Sequence, residues 1–375
     1  MAPMSMTRRA RRIIKLADVA DKAGVDVSTA SRALNSNSPR KVSVKTAAHV
    51  AAVAREMGYK ANVVARGLRS GRSSTVGVLV ADLENTYITP VIHGIADALE
   101  SQGYMALVVE TQDDHDRLVR LLDRLLVRRI DALITSAARL GDAEALTAVH
   151  ASGTPVVLAV RGLHGSGLPM VVHDDVRGGQ IAATHLADLG HRRVAQLAGP
   201  RDIEPFARRT RGFATRAREL SLEDVTVDEA AQVPSASEGR RLMLKTMSSV
   251  KPLPTAVFAQ NDLMALGAVE ALSAAGLRCP RDISVIGYND APLMDHTFPA
   301  LTTIRLNSRE IGRIAALTAL AAIEDPRESP KSSILPPQLI VRDSTASPQT
   351  VVPSQPPRSL PGRRLMGAAA NRIAQ

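Results

Sequence analysis

Apolar positions recur along this chain at two spacings, and the change from one to the other divides it. In KLADVADKAGVDVSTASRALN, Leu16, Val19, Ala20 and Ala23 fall on one helical face, and Gly24 supplies a chain reversal. A second short helix follows, with Asp26 as its N-cap and Ala30, Ala33 and Leu34 turned inward. That leaves Val27, Ser28, Thr29, Ser31 and Arg32 on its outer side and first turn. After the loop SNSPRK, Ser43 caps a third helix whose Val50, Ala54 and Met57 close a miniature core. Three short helices with a glycine turn form the arrangement that lays one helix in a DNA major groove.

From Thr75 onward the period changes. Short β-branched runs alternate with amphipathic helices: TVGVLVA, a helix over about residues 90–102, YMALVVE, a helix over about 114–127, IDALITS, a further helix, then PVVLAV. A second series runs through GGQIAATHLADLG, RVAQLAG, a helical stretch ending RRTRGFATRAREL, TAVFA, NDLMALGAVEALSAAG and ISVIGYND. Such a rhythm predicts right-handed βαβ crossovers and two parallel sheets in tandem, hence two lobes. Ligands of open α/β sheets bind beyond the carboxyl ends of strands, so the polar residues of those loops are the candidates.

Charge sharpens the division. The net charge of +10 on 375 residues is uneven: residues 1–72 carry +11, residues 73–342 carry −4 and residues 343–375 carry +3. The positive excess therefore sits on the small helical part, where it can exchange condensed counterions for phosphate contacts. Cys279 is the only cysteine, which excludes an intramolecular disulfide and fits a reducing cytoplasm. The basic start MAPMSMTRRARR lacks a following apolar run, and no later run is long enough to span a bilayer, so no membrane association is expected.

The residues DVADKAGVDVSTASRALN, the third helix and the VARGL that follows resemble the headpiece and hinge of the lac-repressor-type (LacI/GalR) regulators, and the likeness continues through residues 15 to 342. The resemblance implies a sequence-specific DNA-binding transcription regulator, a repressor in most members, with an all-α helix-turn-helix headpiece and an α/β periplasmic-binding-protein-like core of two Rossmann-like lobes. It implies that Val27, Ser28 and Arg32 read base edges, Arg32 by a bidentate contact to guanine. Thr29, Ser31, Asn35, Lys41 and Lys45 would hold the phosphate backbone. Residues 62–69, too short for a stable isolated helix, would fold on docking and place Asn62, Ala65 and Leu68 in the minor groove, Leu68 as a wedge. In the core, ENTYI, HLADLGHRRVAQLAGP, RRTRGF, FAQNDLMALGAVEAL, DISVIGYND and FPALTTI match the effector domain. Carried over, Asn85, Tyr87, Ile88, Asp174, Arg209, Asn261 and Asn289 would line an inter-lobe effector cleft. The partners implied are a pseudo-palindromic operator, a second copy of the chain, and a small polar metabolite, a sugar or sugar derivative.

Departures from the family pattern matter. Ala47 and His49 stand where the third helix commonly has arginines, and Ala61 replaces a common proline before the hinge. Asn289 replaces the usual aspartate, which weakens the case for an ordinary pyranose. The chain divides into a basic disordered arm (1–14), headpiece (15–60), hinge (61–72), core (73–342) and a disordered Pro/Arg-rich tail (343–375). The cluster Gln112-Asp113-Asp114-His115-Asp116 reads as a helix start rather than a metal site, because consecutive residues diverge on a helix. Gly162 to Gly167 is a surface loop, and Cys279 a structural thiol. Neither a cofactor nor catalysis is expected. The rival readings, an exported solute-binding protein and an α/β enzyme, lack respectively an export signal and an acid/base constellation.

Overall fold

The computed structural model describes residues 14–34, 42–59, 72–327 and 330–349. The hinge up to residue 71, the basic arm up to residue 13 and the site residues Asn35, Lys41, Asn62, Ala65 and Leu68 lie outside the described residues.

Three helices open the chain: α1 (Leu16–Lys22), α2 (Val27–Ala33) and α3 (Val44–Glu56). Gly24 makes the reversal between the first two with φ +64, a conformation that a side chain disfavours. Both expected caps form. The Asp26 carboxylate accepts from the Thr29 amide, and the Ser43 hydroxyl from the Thr46 amide. Val19, Ala20, Ala23, Ala30, Val50, Val53 and Ala54 are the buried core, with Leu16, Ala33, Leu34, Met57 and Tyr59 packed against it. Mostly small side chains let three short helices approach closely enough to enclose so little volume.

The remainder alternates as β1 (Thr75–Val80), α4 (Ile88–Ser101), β2 (Met105–Glu110), α5 (His115–Val127), β3 (Ala132–Thr135), α6 (Ala143–Ala151), β4 (Val156–Ala159) and β5 (Met170–His173). Next come α7 (Asp175–Asp188), β6 (Arg193–Leu197), α8 (Glu204–Glu219), β7 (Glu223–Asp224), α9 (Ala236–Ser249), β8 (Ala256–Ala259), α10 (Asp262–Ala274) and β9 (Ser284–Asn289). The chain ends with β10 (Thr302–Arg305), α11 (Ser308–Glu324), β11 (Ser333–Leu335) and β12 (Gln338–Ile340). They build two six-stranded sheets, ordered β11-β5-β4-β3-β1-β2 and β12-β10-β9-β8-β6-β7. From β5 through β2 in the first sheet and from β10 through β7 in the second, neighbouring strands are parallel, and β12 runs antiparallel to β10.

Two compact units result. Of the described residues, the first holds those up to Glu84, Ile88–Val172 and those within Ser308–Ile334; the second holds Asn85–Tyr87, His173–Asn307 and those from Leu335 to residue 349. The units are therefore not consecutive in sequence: α11 returns to the first, although it follows the whole second series of strands and helices. In the second unit α7 and α8 meet backbone to backbone. A methyl added at Gly212 would overlap the Val176 carbonyl oxygen, and one at Gly179 the Arg209 carbonyl oxygen. Gly212→Val is accordingly expected to destabilise this unit by about 1–3 kcal/mol, read as a lower urea midpoint, because neither helix can withdraw without opening the core.

The expected tail begins too early. Residues 343–349 are packed on the second unit: the Asp343 amide donates to Ala300 O at 2.9 Å and the Ser344 hydroxyl to Val285 O at 2.6 Å. His185 Nε2 and Thr345 Oγ1 lie 2.9 Å apart, as do His191 Nε2 and Ala346 O. Polar composition suggested disorder, but these small hydroxyls satisfy buried backbone groups that would otherwise lack partners. The Gln112–Asp116 cluster is likewise consumed by structure. Asp114 caps α5, Asp113 pairs with Arg161 through both carboxylate oxygens, and His115 sits 2.7 Å from Asp142.

Candidate functional site

The headpiece presents an outward face built by its capping geometry. Because Asp26 ends the turn in extended backbone and starts α2, Val27 and Ser28 project from the first turn; both are exposed, Val27 by 47%. Arg32 lies one turn further, half-buried, with Nε donating to Ser28 O at 3.2 Å and NH2 to Ser28 Oγ at 3.0 Å and Thr29 Oγ1 at 3.1 Å. Ser31 is half-buried, and Lys45 is exposed in the first turn of α3. The structure thus brings all the described DNA-facing candidates except Lys45 onto one seven-residue helix.

The second concentration of polar chemistry lies in the second unit, where β8 and β9 end. Arg209, on α8, is buried: Nε donates to Asp175 Oδ1 at 2.8 Å and NH1 to Gln260 O at 2.7 Å. Its guanidinium lies 3.8 Å from the centroid of the Tyr288 ring and 4.9 Å from that of Phe206, so its charge is held by a carboxylate and two aromatic faces. The Tyr288 hydroxyl also donates to Asp175, at 3.0 Å. Burial pushes the Asp175 carboxyl above its ordinary range, against the opposing pull of Arg209.

Around this pair the polar accounting is incomplete. Among the described residues, the buried side-chain polar atoms without a hydrogen-bond partner are Tyr87 OH, His173 Nε2 and Arg208 Nε, all in the second unit. Burial drives the Tyr87 hydroxyl upward and holds it neutral. Burial, then the positive charge of Arg209, pushes the His173 imidazole down to about 3, so it too is neutral near pH 7. Asp262 accepts from the Ala291 amide at 2.8 Å and the Thr303 hydroxyl at 2.6 Å, and burial pushes its carboxyl up to about 7.

Several sequence-selected residues have other employment. Asp174 caps α7 by accepting from the Arg177 amide, while its neighbour Asp175 is the one that holds Arg209. Asn261 caps α10, accepting from the Met264 amide at 2.7 Å and donating to Pro234 O at 2.8 Å. Asn85 accepts from the Tyr87 amide at 3.2 Å. Asn289 ends β9 buried and in left-handed backbone, φ +123. Ile88 begins α4 in the first unit. Asp175, Gln260, Tyr288, His173 and Asp262 were missed. The available signal was adjacency, since each stands within a residue of Asp174, Asn261 or Asn289, but only the fold shows which neighbour turns inward. No group of described His, Cys, Asp or Glu side chains can hold a metal ion.

The model for bacterial regulatory proteins of the lacI family matches residues 15–62, and a periplasmic binding protein-like domain matches residues 183–345. The ribose operon repressor of Escherichia coli K12 is 30% identical over 328 residues, which cover 87% of this chain and 98% of that one. The chain belongs to the lacI family. Membership makes it a DNA-binding transcription regulator modulated by a small-molecule effector. Among its lacI-family relatives, the regulator DegA of Bacillus subtilis is 29% identical, with 88% of this chain and 97% of DegA aligned. The lac repressor dimer bound to operator and the anti-inducer ONPF superposes with a TM-score of 0.80 at 27% identity, covering 89% of this chain and all of that one.

Proposed function

We propose that this regulator represses transcription as a homodimer, with Val27, Ser28 and Arg32 reading base edges in each half of a pseudo-palindromic operator and Ser31 and Lys45 gripping phosphate. Two headpieces matched to two half-sites require a twofold assembly, and the lac repressor that it resembles binds its operator as a dimer. The charge of +11 on residues 1–72 supplies the sequence-independent part of the affinity. The effector is a small polar metabolite, a sugar or sugar derivative, held in the second unit around Tyr87, His173 and Arg209. The observation that carries this is the set of orphaned buried atoms, Tyr87 OH and His173 Nε2 above all. A buried polar atom without a partner is rare in a finished core and is expected where a ligand completes it. The similarity to a ribose operon repressor favours a polyhydroxyl compound. A ligand of this kind changes operator affinity by the ratio of its affinities for the DNA-bound and free forms.

Two measurements test the reading. Duplexes selected by the full chain from a random pool should bind in a gel shift far more tightly than unselected duplexes, with affinity falling steeply as salt rises; equal binding to both pools would remove the reader. Calorimetry with a panel of sugars and polyols should then identify a ligand. Tyr87→Phe deletes an unpartnered hydroxyl, so it is expected to unfold no earlier than the parent yet bind that ligand about tenfold more weakly. Parent-like ligand affinity in Tyr87→Phe would take Tyr87 out of the site.

A further inference from the structure

Thr29 makes hydrogen bonds that do not suit the phosphate contact implied for it. Its amide donates to Asp26 Oδ1 at 2.9 Å, and its hydroxyl donates to Asp26 Oδ2 at 2.7 Å. The same hydroxyl oxygen accepts from Arg32 NH2 at 3.1 Å. A hydroxyl has one proton, and phosphate oxygens only accept. With that proton on a carboxylate, Thr29 retains no donor for the DNA backbone. The three residues instead form a chain in which Asp26 takes the proton of Thr29 and thereby fixes which way the oxygen faces Arg32. Asp26 is suited to the part, since the hydrogen bonds from Ser28 and Thr29 hold its carboxyl far below the ordinary range and keep it charged. Ser28 supplies the remaining contacts along the same edge of the guanidinium, to Nε and NH2. NH1 has no hydrogen-bond partner among the described residues.

We propose that Asp26 and Thr29 are positioning residues for Arg32, a relay that orders the guanidinium before DNA is met and so governs sequence discrimination rather than general affinity for DNA. The inference rests on Arg32 reading a base edge. A free arginine side chain has many rotamers, and aligning it with two acceptors on a base costs the entropy of that freedom. Here three contacts hold one edge of the fork against α2, and NH1 remains for the DNA. Without the relay, Arg32 keeps its charge, so attraction to phosphate survives. What is lost is the preset direction.

The test uses the full chain, its preferred duplex selected from a random pool, and a scrambled duplex of equal length. Thr29→Val removes both hydroxyl roles at nearly constant volume and is expected to lower the ratio of selected to scrambled affinity about tenfold, with scrambled-duplex affinity and its salt slope unchanged. Thr29→Ser, which restores the hydroxyl, should recover most of the ratio. Asp26→Ser keeps a good N-cap but lacks the second oxygen that takes the Thr29 proton, and it should reproduce the Thr29→Val loss even should the valine variant fail to fold. Arg32→Ala separates the two levels of the argument. If it retains the parent ratio, base reading by Arg32 is wrong. If it loses the ratio while Asp26→Ser and any folded Thr29→Val keep it, Arg32 reads DNA but the relay is refuted.

Discussion

Replacing Arg209 with methionine should destabilise the second unit by about 3–5 kcal/mol, because it strands the Asp175 carboxylate in a dry interior. Both side chains of the pair are almost wholly buried, 4% and 3% exposed, so solvent does little to screen the loss. The methionine also gives up the bond to Gln260 O and the stacking on Tyr288. The Tyr288 hydroxyl continues to donate to Asp175, but burial then pushes the carboxyl further upward against only the weaker pull of Arg208. Urea unfolding followed by circular dichroism would show a lower midpoint for Arg209→Met. The double variant Arg209→Met with Asp175→Asn should recover part of the loss, since no charge is left unpaired. Additive penalties in the double variant would mean that the pair is not coupled. A more stable single variant would contradict the description of Arg209 as the centre of this core.

The second large effect is a hidden pair of opposed pH dependences. His173 has its pKa pushed down from 6.5 to about 3, so between those values the folded protein holds fewer protons than the unfolded chain. Its contribution to stability is complete above pH 6.5 and is lost as pH falls below it, by about 1.4 kcal/mol per pH unit. Asp262 has its pKa pushed up from 3.8 to about 7, so the folded protein holds the extra proton across that window. Its contribution therefore runs the other way, declining as pH rises from 3.8 to 7 and levelling off above. Between pH 4 and 6.5 the two slopes cancel in the parent. Single variants should expose them: His173→Gln leaves stability that falls as pH rises, and Asp262→Asn leaves stability that rises with pH. Asparagine at 262 can still accept from the Ala291 amide and can donate to Thr303, so this variant should also be the more stable one above pH 7. Urea midpoints at pH 5, 6, 7 and 8 would decide; profiles parallel to the parent for both variants would show that neither group titrates as described.

The ligand response ties these expectations to regulation. Arg209 acts electrostatically on both Tyr87 and His173, so in the proposed effector site a metabolite bonding to the Tyr87 hydroxyl or to His173 Nε2 would alter the same balance that the buried pair sets.

Much of the headpiece was legible in the sequence because its determinants are local. The Asp26 and Ser43 caps, the Gly24 reversal and the inward faces of three helices each depend on residues within a turn or two, and all were found as expected. The alternation of strands and helices in the core was legible for the same reason: a period of two or of 3.6 is a property of a short window. Even the reading of the Gln112–Asp116 cluster as a helix start needed only its neighbours; the structure makes Asp114 the cap.

Tertiary structure alone decided the matters that depend on distant partners. Nothing local distinguishes Asp174 from Asp175, yet one caps α7 at the surface of its turn and the other meets Arg209, 34 residues away. Nor could a Pro/Ser-rich composition reveal that the Ser344 hydroxyl would find Val285 O across 59 residues and carry the fold to residue 349. The return of α11 to the first unit and the orphaned atoms of Tyr87 and His173 belong to the same class. Periodicity fixes which face of an element is buried; what lies opposite that face is set by how the elements pack, and so is the chemistry assembled there.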